Sequence, residues 1–324
     1  MKYDIITFGS ATLDIFLLTK KFVLKNEKRF SSQRAVCFPF SSKADLEDLD
    51  FATGGGGTNV ATTFSLQGFR TAYCGEVGND FAGQEVFKDL ESFDIDSKFV
   101  FVSKLPTNLS VIFSWGKDKT CFVWRGASED FSKEKLPFEK FKSDWFYLAP
   151  LSGGSVKTFG SLVNFAFKNK IKVFANLGNS QIELGLKKLK PILEKIDVVL
   201  LNQEEASLLT KISFKKEKEI FRKLDKIVKG IVIMTKGDNG AVVSNGEYLW
   251  HVNSLPIKPT EKTGAGEAFG SGFLTGLIRK NDIEYALQLG TANAASCIQK
   301  IGGKRGLLKK NQKWEKVKVL KTKL

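Results

Sequence analysis

Thr263-Gly264-Ala265-Gly266-Glu267-Ala268-Phe269 joins a loop of small residues to an acidic side chain at the head of an apolar, helix-like segment. Glycines let successive backbone N–H groups turn inward as an anion-binding nest, and the positive end of the following helix adds to that attraction. Glu267 then stands at the helix entrance. A carboxylate there can take a proton from an attacking hydroxyl while the nest holds charge on a transferring phosphate. By itself the same stretch also reads as a glycine-rich turn with a first-turn acid that stabilises the helix dipole, so the rest of the chain must decide.

A second glycine run, Gly54-Gly55-Gly56-Gly57-Thr58-Asn59, precedes another helical segment. Its glycines permit close approach of backbone to ligand, and Asn59 offers both a donor and an acceptor to a hydroxylated molecule. The chain has no GxxxxGK[ST] sequence, which excludes a Walker A loop, and the strand-first GxGxxG setting of dinucleotide sites is missing. Asn202-Gln203-Glu204-Glu205 follows the apolar run Val198–Leu201, at a strand's carboxyl end where open α/β sheets bind ligands. Glu205 there can order water around Mg2+, while Asn202 equally suits a helix N-cap. Thr235-Lys236-Gly237-Asp238-Asn239-Gly240 also follows a strand and reads either as a phosphate-holding loop or as a hairpin turn. Asp14, just past the first strand, can accept two hydroxyl hydrogen bonds from a polyol.

These residues need a scaffold, and the hydrophobic pattern supplies one. Strands are predicted at Tyr3–Phe8, Thr71–Cys74, Trp145–Leu148, Lys172–Ala175, Val198–Leu201 and Ile231–Thr235, with helical periodicity at Thr58–Leu66, Gly83–Phe93, Val156–Asn169 and Ile283–Ile298. Alternation of strand and helix implies a mostly parallel sheet in one α/β domain spanning 1–324. Two β-like insertions, about 15–52 and 108–126, break the rhythm and read as a small projecting sheet, a lid over a substrate. Their aromatic residues, among them Phe38, Phe40 and Trp124, are expected to select the acceptor. Arg125, at the end of the second insertion, is a candidate for steering phosphate or substrate. Exposed lid edges would suit a homodimer joined through the lid.

The 324 residues, 42% hydrophobic and 26% charged, can bury a large core. The net charge of +15 favours phosphate-bearing ligands, but its densest tract, from Lys304-Arg305 to the C-terminus, reads as solvated surface rather than a nucleic-acid site. Cys37, Cys74, Cys121 and Cys297 form no CxxC pair, and His251 is the sole histidine, which argues against a disulfide framework, a zinc site and a histidine-dependent catalytic triad. No signal peptide or membrane-length apolar run is legible, so a cytoplasmic protein is expected.

The order of these motifs resembles that of the ribokinase-like PfkB family of carbohydrate and nucleoside kinases. Asp14, Gly55-Gly56 with Asn59, Gly75-Glu76-Val77-Gly78-Asn79-Asp80 with Gly83, Asn202 with Glu205, Thr235-Lys236-Gly237 with Gly240, and Thr263-Gly264-Ala265-Gly266 all fall in the family's sequence order. The resemblance implies a three-layer, Rossmann-like α/β/α sandwich with a β-sheet lid, and ATP-dependent phosphorylation of an alcohol. By it, Asp14, Gly55, Gly56 and Asn59 face the sugar, and Gly264, Ala265 and Gly266 form the anion hole beside Glu267 as catalytic base. Asn202 and Glu205 serve phosphate and Mg2+, Thr235, Gly237 and Gly240 contact ATP, and Asn293 belongs to the adenine pocket. A monovalent cation such as K+ completes the implied set of cofactors. The chain departs from the family at Glu267, where aspartate is usual, at Thr12, where many members carry asparagine, and at Glu261, where aspartate is common. A nucleoside acceptor, or a homologue that binds without efficient turnover, are the alternatives these departures leave.

Overall fold

The computed structural model describes residues 2–324 apart from 20, 21, 31, 32, 39, 42, 116 and 117. The expected apolar runs form the middle of a ten-stranded sheet ordered Val319–Lys323, Tyr248–Val252, Ala241–Ser244, Ile231–Thr235, Val198–Asn202, Lys172–Asn176, Ser143–Leu148, Tyr3–Phe8, Thr71–Gly78, Asp96–Ser103. Pairing is parallel from Asp96–Ser103 to Ile231–Thr235 and antiparallel from there to the Val319–Lys323 edge. Both faces of the parallel part are covered, which is why its strands read as unbroken apolar runs. Successive residues still separate by face. Ile6, Phe146, Val173, Val199 and Val232 pack with Phe159, Leu162 and Leu189 on one side, whereas Ile5, Tyr147, Phe174, Leu200 and Ile233 pack with Phe64, Phe269 and Phe273 on the other.

On that second face, helix Ala265–Lys280 lies against helix Ile283–Cys297, and small residues set their distance. A Cβ added at Gly276 would stand 2.6 Å from Ala286 Cα, and one at Gly272 would stand 3.0 Å from Gly290 Cα. The Gly75–Asp80 segment is structural. Asp80 caps helix Phe81–Ser92 by accepting from Gly83 N at 2.8 Å, and it accepts from Thr107 N at 2.7 Å just before the second insertion.

The insertions form a four-stranded sheet, ordered Asp48–Gly54, Thr12–Leu18, Asn108–Trp115, Asp118–Trp124, and a separate hairpin of Val23–Asn26 with Arg34–Cys37. Asp14 therefore belongs to a lid strand rather than to the loop after the first strand. Cross-strand register places Asp14 beside Ser110 and Ser110 beside Val123, with Ile112 between Phe16 and Cys121. Alternation puts Asp14, Phe16, Ser110, Ile112, Lys119, Cys121 and Val123 on one face. Lys119 on this face reaches the loop before helix Ala265–Lys280, so this is the inward face. The aromatic residues expected to select the acceptor are elsewhere. Trp124 is on the opposite face, Phe38 packs with Phe113 there, and Phe40 is 98% exposed. Phe16 and Ile112, both buried, replace them as lid side chains that look toward the cleft.

The start of the basic tail also departs from expectation. Lys304 is buried, pairing with Asp89 at 2.5 Å and donating to Thr53 Oγ1 at 3.0 Å, and Arg305 Nη2 donates to Phe51 O at 2.8 Å. These contacts clamp the lid's Asp48–Gly54 strand to the main domain, a use of charge that composition cannot show. Among the described residues no helix is long and apolar enough to cross a membrane.

Gly276→Ala tests the helix pair. Alanine improves helix propensity by about 1 kcal/mol, yet a methyl group against backbone that cannot swing aside costs about 1–3 kcal/mol. With a 2.6 Å approach the steric cost prevails, and the urea midpoint should fall, not rise.

Candidate active site

Helix Ala265–Lys280 begins where Gly264 turns the chain into the left-handed region at φ 81°. Any side chain there would be strained and would also strike Gly303, whose Cα would lie 2.6 Å from the added Cβ. A Cβ at Gly266 would meet nothing within 4 Å, so this turn is open toward the cleft. Glu267 is in the first helical turn and half-buried. Its Oε1 is 3.9 Å from where a Gly56 Cβ would sit, so base candidate and second glycine run face each other. Burial pushes the Glu267 carboxyl above its usual range, opposed by a hydrogen bond from its own backbone N–H and by the Lys119 ammonium.

On the lid side of this turn, Asp14 is 6% exposed and packs its carboxylate on Gly54, where a Cβ would stand 2.1 Å from Oδ2. Burial pushes its pKa up to about 6, against a hydrogen bond with Ser110 and the charges of Lys304 and Lys119. Gly55, at φ 100°, precedes helix Gly56–Leu66, which begins two residues before the expected Thr58. Asn59 is 5% exposed, and its Oδ1 has no hydrogen-bond partner among the described residues. An unpaired buried carbonyl oxygen costs free energy unless a ligand or water supplies a donor. Gly303 backs this residue, since a Cβ there would lie 2.6 Å from Asn59 Nδ2. Arg125 stands exposed at the lid's base, donating to Ser152 Oγ at 3.0 Å.

On the other side of the turn, Ala265 and Gly266 line a cleft of about 780 Å³ with Thr235, Gly237, Gly240, Pro256, Ile257, Thr291, Ala294 and Ala295. Its size lies within the roughly 300–1,000 Å³ of small-molecule sites. Thr235–Gly240 is a turn between antiparallel strands and also a wall of the cleft, so its two readings hold together. Asn202 and Glu205 form a reciprocal capping box. Asn202 Oδ1 accepts from Glu205 N at 2.8 Å, and Glu205 Oε2 accepts from Asn202 N at 2.7 Å. Glu205 is raised chiefly by burial, and the charge of Glu267 adds to the shift. Asn293 is not in the cleft wall. It is 1% exposed, donates to Ala268 O at 2.8 Å and accepts from Leu308 N at 2.9 Å, so it joins the two helices and the tail. Its helix presents Thr291, Ala294 and Ala295 to the cleft because they follow the 3.6-residue period onto another face.

Residues 19–310 match the pfkB family of carbohydrate kinases. The chain belongs to the pfkB family. It is 28% identical to an ATP-dependent 6-phosphofructokinase of Thermoanaerobacterium thermosaccharolyticum, over 93% of this chain and 89% of that one. It is 25% identical to a ribokinase of Haemophilus influenzae, over 81% and 86% respectively. Among solved structures, an Arabidopsis thaliana ribokinase complexed with ribose and ATP superposes at TM-score 0.76 and 19% identity, covering 95% of this chain and 96% of that one. A Methanocaldococcus jannaschii nucleoside kinase of the ribokinase family superposes at TM-score 0.75 and 20% identity, covering 94% and 95%. The expected fold, a large mostly parallel sheet between helices with a small β lid, is the one observed.

Some residues of this pfkB-family site carried no motif of their own. Lys119 enters it from a lid strand, Gly303 backs both glycine turns, and Pro256 and Ile257 wall the cleft. The only sequence signal was the Gly302-Gly303 pair, masked by the basic residues that follow.

Asp14 supplies a pH test. Its folded pKa lies above the unfolded value, so its ionisation opposes folding as pH rises through about 6. Unliganded Asp14→Asn at pH 7 should melt no lower than the parent. Loss of charge-assisted bonds, worth about 1.5–3 kcal/mol, should nonetheless weaken acceptor binding about 10- to 150-fold. Parent acceptor affinity should fall below pH 6 and the variant's should not; calorimetric titration at pH 5 and 7.5 reads both.

Proposed function

We propose that this pfkB-family protein transfers the terminal phosphoryl group of ATP to a hydroxyl of a sugar or nucleoside held beneath the lid. The observation that carries the reading is the placement of one helical turn between two sites. Ala265 and Gly266 border the nucleotide-sized cleft, while Glu267 meets Gly56 on the side of Asp14 and Asn59. In this arrangement Asp14 and Asn59 orient the acceptor by its hydroxyls, and Gly55 and Gly56 allow it to approach the backbone. Glu267 accepts the proton of the attacking hydroxyl, and the Gly264–Gly266 turn stabilises charge on the transferring group. Thr235, Gly237 and Gly240 bind the nucleotide, and Arg125 steers from the lid's base. Asn202 holds Glu205 in place. Glu205 Oε1 makes no hydrogen bond within the described residues, which suits a carboxylate that holds Mg2+ through water. Mg2+ when bound would neutralise phosphate charge. ATP with Mg2+ is bound by an Escherichia coli ribokinase-like protein of TM-score 0.78, which supports the same pair here.

Activation by a monovalent cation such as K+, a cytoplasmic setting and a homodimer are parts of the reading. All four cysteines are free, which suits a reducing compartment. The outward lid face exposes Leu49, Phe51, Phe122 and Trp124 by 47–61%, an apolar patch that a second copy would cover. A monomer in sedimentation velocity at tens of micromolar would remove the dimer. An acceptor panel with ATP and Mg2+, in Na+ and in K+, reading ADP and phosphorylated product, tests the activity. Ligand affinity without acceptor-dependent ADP would leave only a binding protein.

Glu267 is the residue on which this function turns. Glu267→Gln should lower acceptor-dependent kcat by about 10²–10⁴-fold with ATP affinity intact. The turn places the longer side chain against Gly56, so Glu267→Asp should retract the carboxylate and lower kcat as well, up to about a hundredfold. Unchanged turnover in both variants would exclude Glu267 as the base.

A further inference from the structure

Lys119, on lid strand Asp118–Trp124, crosses from the lid to the loop that precedes the anion-binding turn. Its Nζ is 2.8 Å from Glu261 Oε1 and also donates to Thr263 Oγ1. The Glu261 side chain is only 6% exposed and in turn accepts from Thr263 N at 2.8 Å and from Thr263 Oγ1 at 2.7 Å. Thr263 immediately precedes Gly264. A single chain of charge-assisted bonds thus runs from the lid, through Glu261, to the residue that sets the start of the catalytic turn. The lid's main-domain contacts through Lys304 and Arg305 hold its other edge strand, Asp48–Gly54, so Lys119 ties down the far edge, where Arg125 at the lid's base also reaches Ser152.

We propose that Lys119 and Glu261 form a latch that couples lid closure to assembly of the anion-binding turn, with Lys119 as a positioning residue for phosphoryl transfer. The chemistry favours a switchable contact over a purely structural one. Lys119 keeps 35% of its side chain exposed and reaches Glu261 from a strand on the open side of the lid, so it can withdraw into water as the lid lifts. Glu261 cannot follow, and it is left with a desolvated charge and only Thr263 to satisfy it. Closing the lid restores its cation, and the Glu261 bonds to Thr263 then hold the turn in the shape that receives the transferring group. The same closure brings Lys119 within electrostatic reach of Asp14 and Glu267, where its charge favours both ionised carboxylates. Water exclusion and formation of the phosphate-stabilising turn thereby become one event, which limits ATP hydrolysis while the lid is open.

This inference rests on the kinase reading, but its test has an arm that does not. Thr263 N–H is held by Glu261, so its amide exchange reports the latch directly. Lys119→Met in the full chain should speed hydrogen exchange across 261–266 about tenfold or more; unchanged exchange overturns the latch whether or not an acceptor is known. In steady-state assays, Lys119→Met should lower kcat by about 10- to 100-fold with KM for ATP within about twofold of the parent, and should raise the ratio of ADP formed to product phosphorylated. Lys119→Arg should recover most of the lost kcat. Glu261→Gln should reproduce the loss, and Lys119→Met combined with Glu261→Gln should be no worse than the poorer single variant. Multiplicative losses in that cycle, or an unchanged ADP-to-product ratio in Lys119→Met, would overturn the coupling. A parent with no acceptor-dependent turnover would count against the kinase reading alone, leaving the exchange measurement to decide the latch.

Discussion

A carboxylate removed from water is expensive to keep ionised, and this site gathers several around one helix N-terminus. Asp14, Glu261 and Glu267 converge from a lid strand, a loop and a helix, with Glu205 close enough to feel Glu267. Burial raises Asp14, Glu205 and Glu267 together. What opposes that cost is spread over the molecule: Lys119 from the lid, Lys304 from the tail, backbone N–H groups of the first helical turn, and the dipole of helix Ala265–Lys280. The lid, the tail and the two-helix layer are therefore arranged around the same electrostatic requirement. A site of this kind holds groups whose charge is poorly compensated until a ligand arrives, so it favours binding at some expense to folding stability.

The lid sheet has two faces with different work. Phe16, Ile112 and Val123 share the inward face with Asp14 and Lys119, so the lid turns an apolar ceiling with charges at two points toward the main domain. Such a ceiling can discriminate shape, and a carboxylate set in it can accept hydrogen bonds from hydroxyls. Phe38, Phe113 and Phe122 cluster on the outward face, away from the main domain. Period-two alternation alone separates these sets, and a one-residue slip in register would exchange them.

Close packing of small residues holds helix Ala265–Lys280 to its neighbours with little tolerance. Gly276 against Ala286, Gly272 against Gly290 and Gly264 against Gly303 bring backbone to backbone, and Asn293 bonds across the same layer to Ala268 and Leu308. Helix Ala265–Lys280 is thus fixed in depth as well as direction, which sets how far a side chain at position 267 can reach. Glutamate at that position extends to Gly56 in this frame.

Local pattern makes much of the protein legible in its sequence. Tyr3–Phe8 and Ile231–Thr235 are evident as strands because burial of both faces demands β-branched and aromatic runs, and the small-residue turn before Glu267 is evident because an anion nest needs positive φ and a helix start within a few residues. The order of the glycine motifs sufficed to name the family. What the sequence could not determine were relations between distant segments. Asn293 and Thr291 are two residues apart on one helix, and only the helix's rotation in the packed layer sends the first to a hydrogen-bond network and the second to the cleft. Lys304 looks like its lysine neighbours in the tail, yet the fold buries it against Asp89. Lys119 and Glu261 are separated by 142 positions, and nothing local says that they pair. Periodicity and turn chemistry act over a few residues and so are written in the chain; the pairing of charges across a cleft depends on sheet register and domain packing, which only the tertiary structure decides.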